Sequence, residues 1–486
     1  MSEICSVKKF LNDRPIFYKK IDYERFPKAY ASIKDKIPLK NVIQIIGTNG
    51  KGSTGRFLAN AIAAAGFRVG HYTSPHVFRL NERIYLAGPG AVNAHTAAKP
   101  HIAAKSCAIE NARAAVSICC DAKGSGRSNF GDAPLGLNSN AAPVGSNFNG
   151  MPLEADSAAA PVGLNFKAAL IDLNFKAVPI GRDVSDAQLQ RAHEFLQESL
   201  PAEFKDSLSY FEYLTLVAAV IFKECDYCVI EAGMGGEFDA TSSFGRILSL
   251  FTPIDTDHLG MLGQNLEQIA RTKLITMQQA AILSDEMSEV PLRIARQIAQ
   301  QKGTQLSLAS DFLDAPQRAQ IAEFCARNNL PKFQILNLSL ALAAMKFLNL
   351  KFEISQLPPL NLRGRMEALA PNLRVDVGHN ELAARAIAEI YAGKKIVLIY
   401  NSFADKDIAA VLRTLAPVLK RVEILSYRVK DRKLGGAQIG KCLDGLGIPH
   451  RKFSGEISAD EQYLVFGSFY LAERFLKRYA KEVKLG

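Results

Sequence analysis

A two-domain α/β protein is what this sequence predicts, on three observations. Short apolar strands alternate with helical segments through most of the chain, the pattern that builds a parallel sheet covered by helices. A strand, a glycine-rich turn and an apolar helix follow one another at residues 41–66, the arrangement of a phosphate-binding unit. Two adjacent prolines, Pro358 and Pro359, then halt a helical run, and a second, shorter α/β alternation follows. The 486 residues suit two to four domains at about 100–200 residues each.

In chain order, Asn41–Ile46 reads as a strand, Gly47–Gly52 as the turn and Ser53–Ala65 as a helix ended by Gly66. A strand at Phe67–Tyr72 follows. Helices are expected near Ala187–Ser199 and Tyr210–Lys223, with strands at Tyr227–Glu231 and Ile247–Phe251. After a helix at Leu338–Leu350 and the two prolines, strands at Leu373–Val377, Lys395–Tyr400, Val422–Ser426 and Tyr463–Phe466 alternate with helical segments. The domains are therefore drawn at 1–355 and 356–486. Between Pro89 and Ile180 the pattern fails: units such as Ala142-Pro-Val-Gly-Ser-Asn-Phe148 and Ala160-Pro-Val-Gly-Leu-Asn-Phe-Lys167 recur at irregular spacing. Their prolines and glycines leave no helical or strand periodicity, so a disordered or loosely packed insertion is expected.

Composition narrows the function. Hydrophobic residues make up 48% and charged residues 22%, a folded soluble chain. The longest apolar stretch, Leu214–Phe222, is less than half of the roughly 20 residues a membrane span needs. Met1–Arg14 lacks the apolar centre of a secretory signal. No membrane partner and a cytoplasmic location are expected. Eight cysteines are too few for a disulfide scaffold, and Cys225 and Cys228, just before an apolar strand, read as buried free thiols. The net charge of +11 is scattered, without an aromatic-interleaved basic block, which favours anionic small molecules over nucleic acid.

The chemistry begins at Gly47-Thr-Asn-Gly-Lys-Gly-Ser-Thr54. Backbone N–H groups and Lys51 at a helix N-terminus favour phosphate. In the commonest nucleotide loop Ser or Thr directly follows the lysine, whereas here Gly52 intervenes. A plain glycine turn would not need Lys51, Ser53 and Thr54 together. Glu231 ends an apolar strand, at the edge where parallel sheets place ligands, and a carboxylate facing a triphosphate is most simply a Mg²⁺ ligand.

The variant loop resembles that of the folylpolyglutamate and dihydrofolate synthases, relatives of the Mur ligases, and later segments extend the resemblance. Ser74-Pro-His-Val-Phe-Arg-Leu-Asn-Glu-Arg-Ile84 is similar to the family's S-P-H…E-R-I, and Phe211-Glu-Tyr-Leu-Thr215 to its F-E-x-x-T. Glu231-Ala-Gly-Met-Gly-Gly-Glu-Phe-Asp-Ala-Thr241 resembles E-x-G-x-G-G-x-x-D-A-T, and Asp257-His258 with Leu262-Gly263 and Ile269-Ala270 resembles D-H…L-G…I-A. Arg363-Gly-Arg-Met-Glu367 resembles P-G-R-x-E, and Asp376-Val-Gly-His-Asn380 resembles D-G-A-H-N. The matches run in order from Gly47 to Asn380, leaving out the insertion.

The resemblance implies a P-loop ATPase-like N-terminal domain, a smaller Rossmann-like C-terminal domain, and an ATP-dependent ligase that joins L-glutamate to dihydropteroate or to tetrahydrofolate through an acyl phosphate. ATP would be bound by Gly47, Thr48, Asn49, Gly50, Lys51, Gly52, Ser53 and Thr54, with Asn337, Arg365, Asp376 and His379 reaching adenine, phosphates or ribose. Ser74, Glu231 and His258 would hold two Mg²⁺ ions, K⁺ being a further candidate cofactor. Ser74, Pro75, His76 and Asp239 would face the folate or pteroate. Lys51, Lys273 and His258 would be catalytic, with Lys273 at the position that carries a carbamate. Two departures stand out. Thr272-Lys-Leu-Ile-Thr276 replaces the usual E-K-A-G-I, and Glu237 stands where the family commonly has Arg.

A cell-wall ligase of the Mur type would share the chemistry but needs an additional N-terminal domain, and only 46 residues precede the loop. A nucleotide-dependent switch or transport ATPase would not need the Asp376–His379 segment. The absence of a partner motif points to a monomer.

Overall fold

The computed structural model describes residues 6–14, 22–89, 180–257, 261–429 and 432–483. The described residues fall in one compact unit of the chain, 1–100 with 175–486. The expected disorder of the 89–180 insertion and the placement of His258 lie outside the described residues.

The first sheet contains β1 (Val42–Ile46), β2 (Val69–Tyr72), β3 (Ile84–Ala87), β4 (Gly181–Asp183), β5 (Tyr227–Glu231), β6 (Leu248–Phe251), β7 (Ala280–Leu283) and β8 (Gln305–Leu308), in the order β4-β3-β2-β5-β1-β6-β7-β8. Helices α1 (Val7–Asn12) and α2 (Arg25–Ile33) precede β1, and α3 (Lys51–Ala64) joins β1 to β2. Helices α4 (Asp186–Ser199), α5 (Ala202–Ser207) and α6 (Tyr210–Phe222) lie between β4 and β5; α7 (Leu266–Leu274) and α8 (Glu289–Lys302) flank β7. Helices α9 (Ala315–Arg327) and α10 (Phe333–Phe347) follow β8. The central strands β1, β5 and β6 are buried along their whole length, as strands covered on both faces must be. Helix α3 is buried from Gly52 to Ala63, because it lies between this sheet and α10.

The second sheet has the order β13-β12-β11-β14-β10-β9. Its strands are β9 (Glu367–Ala370), β10 (Leu373–Val375), β11 (Ile396–Tyr400), β12 (Leu419–Ile424), β13 (His450–Lys452) and β14 (Tyr463–Phe466). Helices α11 (Glu381–Ile390), α12 (Ile408–Leu415), α13 (Gly436–Gly445) and α14 (Phe469–Val483) accompany them. All pairs are parallel except β9 with β10.

Three local differences from the sequence reading have physical causes. The first sheet carries an antiparallel edge, β2–β3 and β3–β4; β3 runs back against β2 because the segment between Tyr72 and Ile84 is too short for a helical crossover. Helix α3 begins at Lys51 rather than Ser53, since Gly50 at φ +88° completes the turn and lets helix start at once. Helix α10 spans Phe333–Phe347 rather than 338–350, and Asn349 at φ +55° turns the chain out of it.

The β3–β4 pair fixes the two ends of the insertion. Tyr85 stands opposite Asp183 and Ala87 opposite Gly181, and the Gly88 N–H donates to the Ile180 carbonyl at 3.0 Å. No helix among the described residues is long and apolar enough to cross a membrane. Cys225 and Cys228 are buried free thiols, and burial pushes Cys225 up to about 12, which makes it a poor nucleophile.

Candidate active site

The carboxyl ends of β1, β2 and β5 lie side by side, so the turns that follow them converge. After β1, the loop Gly47–Gly50 enters α3 with its first amides unpaired within the helix. Gly47 takes φ +150°, and a Cβ there would stand 2.0 Å from Thr252 Oγ1. At Gly50 a Cβ would meet Asn337 Oδ1 at 2.3 Å, so the loop has no room for side chains at these turns.

Glu231, at the end of β5, is 3% exposed. Its Oε2 accepts a hydrogen bond from the Thr73 hydroxyl and another from the Ser74 N–H at 3.2 Å. Its Oε1 lies 3.8 Å from Lys51 Nζ, which also donates to the Gly47 and Thr48 carbonyls at 3.2 Å each. Gly52 keeps the space beside this carboxylate open: a Cβ there would lie 3.4 Å from Glu231 Oε2 and 3.7 Å from an Arg365 nitrogen. A buried carboxylate with one oxygen only loosely paired, beside such a gap, fits a magnesium ion held by Glu231 and Ser74. Among the described residues no cluster of three or more His, Cys, Asp or Glu forms a metal site.

The Ser74–His76 segment is organised by Glu82, whose carboxylate accepts from the Val77, Phe78 and Arg79 N–H groups at 2.7–2.9 Å. Pro75 follows Ser74 through a cis peptide. His76 Nδ1 accepts from Arg83 Nε at 2.8 Å. Burial, then the charges of Arg83 and Lys477, bring its pKa down to about 3, so the ring is neutral.

Asp239 winds the loop after β5 around itself. Its Oδ2 accepts from the Met234 N–H at 2.9 Å and its Oδ1 from the Thr241 N–H and hydroxyl at 3.0 and 2.6 Å. Burial raises its carboxyl above the ordinary value. Both oxygens therefore serve the loop. On the same turn Glu237 is exposed, and Phe238, 55% exposed, packs its ring 4.1 Å from that of Tyr23.

Lys273, on α7, is 3% exposed and donates to the Gly47 carbonyl at 3.2 Å. Burial, reinforced by Lys51, pulls its pKa down to about 7.

From the second sheet come Arg365, Asp376 and His379. The Asp376 carboxylate accepts from the Met366 and Gly378 N–H groups at 3.0 and 2.7 Å, holding the turn that carries Arg365. Arg365 feels the charges of both Asp376 and Glu231, which places its guanidinium in the same electrostatic neighbourhood as the loop. His379 Nδ1 donates to the Val377 carbonyl at 3.2 Å; burial and Lys406 lower its pKa to about 4, leaving Nε2 an acceptor. Asn337 packs behind the loop, bonded to Thr54 Oγ1 at 3.4 Å and to Gln334 at 2.8 Å, while Gln334 reaches Ser53 at 3.3 Å.

Sequence reasoning named Asn49, Asp257 and Asn380 but not the contacts through which they join the two halves, and it did not name Lys406, Arg385 or Asp255. The Asn49 and Asn380 amides bond to one another at 2.9 and 3.1 Å, Lys406 donates to Asp257 at 2.8 Å, and Arg385 reaches Asp255 at 3.4 Å. It also missed Thr73, one residue ahead of the motif it recognised.

No family model matches the chain. Its sequence is 25% identical over 461 residues to the dihydrofolate synthase/folylpolyglutamate synthase of Escherichia coli, covering 89% of this chain and 85% of that one. A crystal structure of Helicobacter pylori folylpolyglutamate synthetase superposes with a TM-score of 0.64 at 32% identity, covering 98% of both chains. The bifunctional folylpolyglutamate synthase/dihydrofolate synthase from Yersinia pestis, complexed with AMPPNP and Mn ion, shares the fold with a TM-score of 0.66 at 20% identity, covering 98% of this chain and 97% of that one.

Proposed function

Since the chain belongs to the folylpolyglutamate synthase/dihydrofolate synthase family, we propose that its cleft binds Mg²⁺-ATP and joins L-glutamate to dihydropteroate and to tetrahydrofolate. The observation that carries this reading is the buried Glu231 carboxylate, fixed by Thr73 and Ser74 beside Lys51 and faced by Arg365 from the second sheet.

In the proposed reaction a carboxylate oxygen of the pteroate or folate forms a bond to the γ-phosphorus while the bond to the ADP oxygen breaks. The glutamate nitrogen then attacks the acyl carbon, inorganic phosphate leaves with the electron pair of the C–O bond, and the nitrogen gives up a proton. Helix α3 supplies N–H groups to the phosphates, and Lys51 and Arg365 neutralise the charge gathering on the transferring group. A magnesium ion held by Glu231 and Ser74 would supply further charge neutralisation. Neutral His379 offers Nε2 as an acceptor at the cleft. The Asn49–Asn380 and Asp257–Lys406 contacts draw the second domain onto the loop and exclude water from the reacting atoms. One chain carries both faces of the cleft, which supports activity as a monomer.

We also assign a carbamate to Lys273. An amine with a pKa of about 7 is substantially unprotonated near neutrality. Its nitrogen can then bond to the carbon of CO₂ and release a proton, turning a buried cation into an anion.

The test is ATP- and Mg²⁺-dependent incorporation of labelled glutamate into dihydropteroate and tetrahydrofolate, alongside glutamate-dependent ADP release. Lys51→Ala is expected to lower both by roughly 10²–10³-fold with the fold intact by circular dichroism. Near-normal turnover in that variant would overturn the assignment of the loop.

A further inference from the structure

Directly behind the phosphate-binding turn, α3 carries an arginine in the protein interior. Arg56 is 1% exposed, and burial lowers its pKa below the ordinary value. Its guanidinium lies over the Tyr85 ring at 3.7 Å, its Nε donates to His71 Nδ1 at 3.4 Å, and one terminal nitrogen is 3.8 Å from Asp183. Tyr85 and Asp183 are cross-strand partners on β3 and β4, and the Tyr85 hydroxyl donates to Asn60 on α3 at 2.9 Å. Gly55 makes the space: a Cβ there would stand 2.3 Å from His71 Nε2. A fully buried guanidinium is a costly group to keep when apolar residues of similar volume pack as well.

The remaining partner indicates its use. Arg56 donates to Asn361 Oδ1 at 2.8 Å, and Asn361 belongs to the connector that runs from α10 to β9. Two residues on, Arg363 lies over the Phe78 ring, in the Ser74–Ile84 segment, at 5.2 Å. Next, Gly364 at φ +65° packs so closely on Val377 that a Cβ would meet it at 2.5 Å. Arg365 follows. The connector is thus tied to α3, then to the Ser74–Ile84 segment, then to the second sheet, within the four residues before the cation it delivers.

We propose that Arg56 is a positioning residue, which through Asn361 fixes the connector and so sets where Arg365 stands over the phosphate-binding loop. This rests on the reading of Arg365 as a phosphate partner. The bond is charge-assisted and directional, whereas Asn361 is itself an exposed residue that the core does not hold. The anchor on α3 moves with the loop it serves, so loop and cation keep one register.

The experiment compares Asn361→Ala, Asn361→Asp and Arg56→Met in the full chain, by the affinity for a fluorescent ATP analogue, the KM for ATP and the melting temperature. Asn361→Ala is expected to weaken nucleotide binding by roughly tenfold or more, the worth of one hydrogen bond to a charged group, with little change in melting temperature. Asn361→Asp keeps the acceptor and is expected to retain the parent affinity. In the Arg56→Met background Asn361→Ala should add nothing further. Parent-like affinity in Asn361→Ala, or equal losses in the Ala and Asp variants, would overturn the proposal. Should Arg56→Met fail to fold, the two Asn361 variants decide alone. An unaltered chain that binds no ATP analogue would overturn the ligase reading itself.

Discussion

Lys273 and Glu237 are single charges whose surroundings make opposite demands. For Lys273 the folded pKa of about 7 lies below the ordinary 10.5. Between those values the unfolded chain binds the extra proton, so stability rises with pH across that window and is lost as pH falls through about 7. Lys273→Met is expected to flatten that dependence in chemical denaturation. The same titration controls carbamate formation, because only the free amine reacts: a ¹³C signal from labelled bicarbonate should grow as pH rises through about 7, and be absent in the variant. Glu237, by contrast, is exposed on the turn that Asp239 winds. An anionic polyglutamate tail passing 4–6 Å away would meet repulsion on the order of a few kcal/mol at partial screening. Dihydropteroate, with one carboxylate, escapes most of it. The kcat/KM ratio of tetrahydrofolate to dihydropteroate is expected to rise in Glu237→Arg; an unchanged ratio would sink this electrostatic account. Lys51 and Glu231 were legible in the sequence because each sits at a fixed offset from a glycine turn. Thr73 was not, since its bond to Glu231 exists only because β2 pairs with β5, a strand more than 150 residues away.

At the scale of elements, the strands of the buried sheet centres were legible from continuous apolar runs, as at β1, β5 and β14. Helices α7 to α9 were not singled out. Their lysines, arginines and glutamines cover the solvent face and dilute the apolar periodicity, which left the Asn265 cap and the Asp314–Gln317 capping box unread. The short β3–β4 pair was hidden for another reason: its partners lie on either side of a repeat with no periodicity of its own. That pair now makes the deletion of residues 89–179 a defined experiment. Gly88 and Ile180 are already bonded, so a short Gly/Ser linker has only a hairpin to close, and each halving of loop length relieves about 0.6 kcal/mol of closure cost. The shortened chain is expected to keep its ligase activity and to melt no lower than the parent. A soluble, folded but inactive product would show that the segment contributes to the site.

The two sheets are joined by a few polar contacts and by the packing of Val77 and Phe78 against the second sheet's apolar cluster. The Lys406–Asp257 pair is largely enclosed, its side chains 12% and 11% exposed. Hydrogen bonds to charged groups contribute about 1.5–3 kcal/mol, enough to bias an equilibrium between open and closed forms. Lys406→Met is therefore expected to increase the radius of gyration in small-angle scattering without nucleotide and to raise the KM for ATP. An ATP analogue should restore the compact form. These contacts were illegible in the sequence because they join residues that share no motif and no secondary-structure period.

The order of strands in the first sheet has a consequence for how the polypeptide tolerates being cut. A scission between residues 90 and 179 would leave β1, β2 and β3 on one piece and β4 to β8 on the other. In the order β4-β3-β2-β5-β1-β6-β7-β8, four neighbouring pairs then hold one strand from each piece. Lys51 and Ser74 would belong to the first piece, Glu231 and Arg365 to the second. The second piece keeps the second sheet whole, but the first has no complete sheet of its own, and the strands of the two pieces interleave like the fingers of two hands. The nicked polypeptide is expected to elute from a sizing column as a single particle, and its two halves, expressed from separate genes in one cell, are natural candidates for a split enzyme whose activity reports that they have met.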